Sequence, residues 1–177
     1  MHFISGKKMV NLGSALNRNL WSAGALRLSA IVFPMAIALF LLQNAIEMSM
    51  DWIATAIGIP SRLDKIKEAQ SGFVWVSPLI VAPVLENTLC LLGIKLFTTP
   101  RNAGSWKIPA LVAFIAVLVH ALIYMEIRYF SIYVNFFVIC CLIQNVENKA
   151  AGFWASVLLH ALINFMVMMQ LRSMGWA

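Results

Sequence analysis

Carboxylate and imidazole are the side chains best matched to moving a proton near neutral pH, and the sequence sets one glutamate and two histidines inside stretches that are otherwise apolar. They are Glu86, His120 and His160. A charged residue at the centre of a membrane-spanning helix costs about 2.5–3.5 kcal/mol on insertion scales, so each is a functional candidate from the outset. Burial in apolar surroundings disfavours the charged form of both residue types and makes each a better-matched proton acceptor. One Glu with two His is a set of groups suited to activating a water molecule. The plainer alternative is a structural Glu paired with a His. His160 also has company: Ser156, His160 and Asn164 recur every four residues, so on a helix they share one face. Ser156 reads as an interhelical hydrogen bond of the kind small polar residues make between apolar helices. His160 with Asn164 reads as functional.

Five apolar stretches must position these residues. With 62% of its 177 residues hydrophobic and 11% charged, the chain departs from the roughly 25% charged content of a soluble domain. Its apolar runs suffice to cross a hydrocarbon core of about 30 Å. The fold class expected is all-α, a polytopic membrane helical bundle of one domain. Its spans fall at about 28–48, 73–97, 108–125, 129–146 and 151–171. The connections around 126–128 and 147–150 are short, which makes the last three helices antiparallel neighbours. The longer connections, 49–72 and 98–107, carry charged residues such as Asp51, Arg62, Asp64, Lys65, Lys67 and Glu68 and the breakers Pro100, Asn102 and Gly104. The apolar opening of the first, 51–60, is expected to rest in the interface. Glu86, His120 and His160 lie 11, 12 and 9 residues from Phe97, Ile108 and Ala151, the ends of their spans on one side. At 1.5 Å per residue those depths are all about 14–18 Å. A common depth on three helices suggests one shared site, and Pro83, three residues before Glu86, predicts a kink that opens space beside it.

The net charge of +6 is concentrated early: Lys7, Lys8, Arg18 and Arg27 precede the first acid, Glu47. In a membrane protein this points to the cytoplasmic bilayer surface as partner and not to nucleic acid. Residues 1–27 thus read as a basic segment lying in the interface, ahead of a transmembrane domain over 28–177. A cytoplasmic N-terminus places seven Lys and Arg inside and five outside, and an external C-terminus follows from five spans. The expected location is a prokaryotic cell membrane. Cys90, Cys140 and Cys141 lie in apolar runs and read as packing residues. Gln43, Asn44, Asn135 and Gln144 read as packing hydrogen bonds, and Glu126 with Arg128 as a solvated pair at the rim.

The polar residues resemble a known set of motifs. The segment Ala82-Pro83-Val84-Leu85-Glu86-Asn87-Thr88-Leu89-Cys90-Leu91-Leu92-Gly93 is similar to the first motif, EExxxR, of the CAAX-protease and bacteriocin-processing family. These are the glutamate-type intramembrane endopeptidases, also called Abi proteins. The stretch around His120 resembles the second motif, FxxxH, and His160-Ala161-Leu162-Ile163-Asn164 matches the third, HxxxN. The order and approximate spacing agree over about 73–171, the family's four-helix core, to which the first helix is an addition. The chain departs from the pattern where Asn87 replaces the second Glu, Leu91 the Arg and Ala116 the Phe.

The resemblance implies a membrane-embedded peptidase acting on a protein or peptide substrate. Glu86, helped by His120, would be the base that activates water, and His160 and Asn164 would donate hydrogen bonds to the oxyanion. It implies no resident cofactor, although Glu86, His120 and His160 could together bind zinc with a water in the fourth position. The missing Glu and Arg leave open a non-catalytic member acting as a peptide chaperone or immunity factor. A third reading makes His120 and His160 the axial ligands of one haem in an electron carrier. That reading leaves Glu86 and Asn164 without a task.

Overall fold

A computed structural model describes residues 25–58, 76–101 and 104–174. The basic segment proposed for 1–27 therefore lies almost wholly outside the described residues, as does most of the first long connection. The described chain is all helical. Helix α1 is Ala25–Ala56. A π-helical turn, Ser77–Val81, leads into α2, Ala82–Phe97. Helix α3 is Lys107–Tyr124, a 3-10 turn Ile127–Ile132 runs into α4, Tyr133–Asn145, and α5 is Lys149–Ser173. Among the described residues five segments are long and apolar enough to cross a membrane: Arg27–Ala56, Ser77–Phe97, Lys107–Tyr124, Ile127–Asn145 and Lys149–Ser173. The protein is an integral membrane protein built as a five-helix bundle, as its composition requires.

Each helix buries one stripe and leaves large apolar residues outward. On α1 the inward stripe is Leu28, Val32, Ala36, Leu39 and Gln43, while Phe33, Leu41 and Trp52 stay exposed. On α2 it is Pro83, Asn87, Cys90 and Ile94. Both stripes step by three or four residues, the spacing that keeps side chains on one helical face. Outward apolar residues that would be a liability in water are at home among lipid tails. Helix α1 packs chiefly along α5, α3 along α4, and α4 along α5. The last three are thus neighbours, as their short connections demand. The three cysteines are free thiols, with Cys90 and Cys140 buried in the core.

The tight turn between α4 and α5 depends on Gly152. A Cβ there would sit 2.7 Å from the Leu142 carbonyl oxygen and 2.8 Å from Val146 Cβ. Asn148 caps α5 by accepting a hydrogen bond from the Ala151 amide. Helix α3 ends at Met125, whose φ of 49° is left-handed.

Two sequence expectations are corrected. The first helix does not stop near Met48: it continues to Ala56, and 51–56 is helical where an interfacial loop was expected. No glycine or proline interrupts 49–56, and the Ser49 and Thr55 hydroxyls donate back to the carbonyls of Ala45 and Asp51, one turn earlier. At 1.5 Å per residue the 32 residues of α1 run about 48 Å, beyond a hydrocarbon core of about 30 Å. Second, Glu126 and Arg128 are not a solvated rim pair. Arg128 is 1% exposed and Glu126 8%. The guanidinium contacts the Glu126 carboxylate at 3.2 Å and Asp51 Oδ1 at 2.5 Å. The extension of α1 supplies Asp51 and so covers the turn.

Candidate functional site

Glu86 projects from α2 one turn beyond Pro83, and the local backbone explains its setting. In the π turn the Ala82 amide donates to the Ser77 carbonyl, five residues back. The same register would next require an amide from Pro83 for the Pro78 carbonyl, and proline has none. The Asn164 side chain fills that gap: its Nδ2 donates to Pro78 O at 2.8 Å. The proline expected to disturb the helix does so through a π turn that is tied to α5.

The three ionisable residues meet. His120 Nε2 lies 3.5 Å and His160 Nε2 3.6 Å from the same carboxylate oxygen, Glu86 Oε2. Phe136 of α4 stands against both imidazoles, its ring centroid 5.3 Å from His120 and 5.5 Å from His160. Tyr129 adds a further ring 6.0 Å from His120. The far side of each imidazole is also held. His120 Nδ1 is 2.8 Å from the Ala116 carbonyl, which can only accept, so Nδ1 carries the proton and Nε2 of the neutral ring carries a lone pair. His160 Nδ1 is 3.0 Å from Asn87 Oδ1. Asn87 Nδ2 lies 3.0 Å from Ser156 Oγ, which donates to the Phe153 carbonyl at 2.7 Å. Two imidazole lone pairs and a carboxylate oxygen cannot face one another without repulsion. Where His160 Nε2 as well as His120 Nε2 carries a lone pair, one proton must be shared within the cluster.

Two recesses flank the cluster. One, of about 160 Å³, is bounded by Glu86, His120 and His160 together with Gln43, Asn135, Tyr129 and Asn164. The other, of about 240 Å³, shares Glu86, His120 and Phe136 and is otherwise walled by α2 and α3 through Leu89, Cys90, Gly93, Val112, Ile115 and Val119. Leu89, Ile115 and Val119 are themselves exposed on the lipid-facing surface. The carboxylate and His120 therefore stand between a polar chamber and an apolar groove.

Of the four residues singled out in sequence, His120 and His160 both contact a third, Glu86. Asn164 borders the polar chamber but spends one N–H on the Pro78 carbonyl. The expected packing bonds are present: Asn135 donates to Gln43 Oε1, Gln170 to Asn44 Oδ1 and Gln144 to the Ser105 carbonyl. Ser156 makes its interhelical bond, with Asn87. Sequence reasoning missed Phe136 and Tyr129, which look like any other aromatic of an apolar run. It also gave Asn87 no geometry, although a carboxamide directly after Glu86 in an apolar helix was a visible signal.

The zinc expectation is corrected. Among the described residues no group of three or more His, Cys, Asp or Glu side chains could hold a metal ion. Glu86, His120 and His160 meet as carboxylate–imidazole contacts, and the point on which both Nε2 atoms converge is Glu86 Oε2 itself.

Fold and site together define a class: an integral membrane helical bundle with a carboxylate–imidazole cluster inside it. Comparison with protein-family models, with curated proteins and with solved structures finds no match.

Proposed function

We propose that this protein is an intramembrane endopeptidase that hydrolyses a peptide bond of a membrane-associated protein or peptide with a water activated by Glu86 and His120. The observation that carries this reading is the convergence of His120 Nε2 and His160 Nε2 on Glu86 Oε2 beside a chamber large enough for water. The resemblance to the three motifs of the CAAX-protease and bacteriocin-processing family supports it. So does the apolar groove on the other side of Glu86, which suits an apolar stretch of substrate.

For this chemistry a proton must stand on His160 Nε2, with Glu86 as carboxylate. Glu86, with His120 beside it, takes a proton from water, and the oxygen attacks the carbonyl carbon of the peptide bond. The oxyanion that forms accepts hydrogen bonds from His160 Nε2 and from the second N–H of Asn164, the one not engaged with Pro78. The tetrahedral intermediate collapses, the C–N bond breaks, and the proton on Glu86 passes to the leaving amine. Donors of this kind are often worth about 2.7–4 kcal/mol each in acyl transfer.

The test is Glu86→Gln, which keeps size and hydrogen bonding and removes the proton-accepting carboxylate. Cells producing the wild-type chain should contain cleaved membrane-protein fragments, read by terminal-peptide mass spectrometry, that are absent with Glu86→Gln at equal abundance and insertion. The same fragments from both would end the glutamate mechanism.

Two observations favour a second reading. Asn164 is engaged with Pro78, and Asn87 and Leu91 stand where the family has Glu and Arg, as expected of a non-catalytic member that binds a peptide as chaperone or immunity factor. The haem reading finds no such support. The two Nε2 atoms face one carboxylate oxygen, and a chamber of about 160 Å³ is too small for a porphyrin.

A further inference from the structure

We propose that Asn87 is a positioning residue that sets the tautomer of His160, keeping the neutral ring's proton on Nδ1 so that Nε2 is the nitrogen that gains and loses a proton opposite Glu86. The link to turnover rests on the peptidase reading. The tautomer does not.

The direction of every bond follows from one fixed acceptor. The Phe153 carbonyl can only accept, so the single hydroxyl proton of Ser156 goes to it, at 2.7 Å. Toward Asn87 the Ser156 oxygen can then only accept, so the amide atom 3.0 Å away is Nδ2. That orients the carboxamide and turns Oδ1 to His160 Nδ1 at 3.0 Å. An amide oxygen only accepts, so Nδ1 donates. Turned the other way, the amide would set Oδ1 against a hydroxyl oxygen whose proton is already given and leave it unsatisfied. Asn87 is 0% exposed, and a buried polar group without a partner is costly.

The consequence reaches Glu86. With Nδ1 protonated, the side of the ring 3.6 Å from Glu86 Oε2 is a proton acceptor in the neutral state. Were the neutral proton on Nε2 instead, the nitrogen facing Glu86 would have no lone pair with which to take up a proton. Helix α2 thus supplies both the carboxylate and, at the next residue, the amide that decides how α5's imidazole addresses it.

The experiment reads the tautomer in the full-length chain in detergent micelles with ring-15N histidine, at a pH where the 15N shifts show the His160 ring to be neutral. The His160 signals are assigned by their loss in His160→Gln. Wild type should show the Nδ1–H form. Asn87→Leu, close in size and without hydrogen-bonding groups, should lower the ratio of Nδ1–H to Nε2–H by about tenfold or more, the factor one buried hydrogen bond carries. Asn87→Asp keeps the acceptor and should retain the wild-type form, which a merely structural role would not predict. Ser156→Ala frees the amide to turn and should lower the ratio as well, so the inference stays testable if Asn87→Leu does not fold. An Nε2–H form in wild type, or an Nδ1–H form undiminished in Asn87→Leu or, failing that variant, in Ser156→Ala, overturns it. None of these readouts uses cleavage, so loss of the peptidase reading in Glu86→Gln and loss of this inference are separate outcomes.

Discussion

Asn164 has two N–H donors and two separate demands on them. One is held by the Pro78 carbonyl at 2.8 Å, and the other is free to meet an oxyanion in the chamber it borders. Asn164→Ala should therefore do two measurable things. It should leave the Pro78 carbonyl without its donor and cost about 1–3 kcal/mol of stability, read as thermal unfolding in detergent. It should also slow the proposed cleavage by roughly a hundredfold or more with little change in KM, the pattern of a donor used only in the transition state. Normal turnover in a destabilised protein would leave Asn164 with the structural role alone. Loss of substrate crosslinking with normal turnover of the bound remainder would make it a recognition residue. At this scale the sequence was legible where a polar residue interrupted an apolar run, because the membrane makes each such residue costly. It was silent on Phe136 and Tyr129, since an aromatic ring among lipid-facing and core aromatics carries no mark of what it touches.

Two elements carry consequences for stability. The α4–α5 turn closes on Gly152, where a Cβ would meet the Leu142 carbonyl oxygen at 2.7 Å and Val146 Cβ at 2.8 Å. Both atoms belong to the facing helix end and have little room to move. Gly152→Ala should cost about 1–3 kcal/mol by overpacking, seen as a lower detergent unfolding temperature. An unchanged unfolding temperature would show that the turn opens freely. The junction of α1 with the 3-10 turn relies on Arg128 between Asp51 and Glu126. Arg128→Met leaves the Glu126 carboxylate buried beside an apolar chain and should cost about 3–5 kcal/mol. Asp51→Asn should cost under about 1 kcal/mol, because the Asp51 side chain is 42% exposed and water screens its share. Equal effects from the two would place the weight of the cluster on Asp51. Helix existence and type were legible from length and apolarity. The end of α1 was not, because Ser49 and Asp51 look like loop residues until hydroxyl back-bonding and a partner on another element are known.

For the whole molecule the charge bias predicts a cytoplasmic N-terminus and, with five spans, an external C-terminus. Reporter fusions after Gly72, Gly104 and Ala177 should read outside, inside and outside. An internal C-terminus would contradict that orientation of the bundle. The sequence by itself determined that the chain lives in a membrane as a helical bundle. Too few charges are present to cover a soluble core, and a backbone in lipid must satisfy its hydrogen bonds within each span. It also singled out Glu86, His120 and His160, because the bilayer penalises ionisable groups wherever they fall along a helix. Only the tertiary structure decided that both imidazoles address one carboxylate oxygen, that Asn87 and not solvent holds the back of His160, and that the three residues do not form a metal-holding group. Those outcomes depend on helix rotation and on the direction of each donor, and neither is encoded in the position of a residue along its own span.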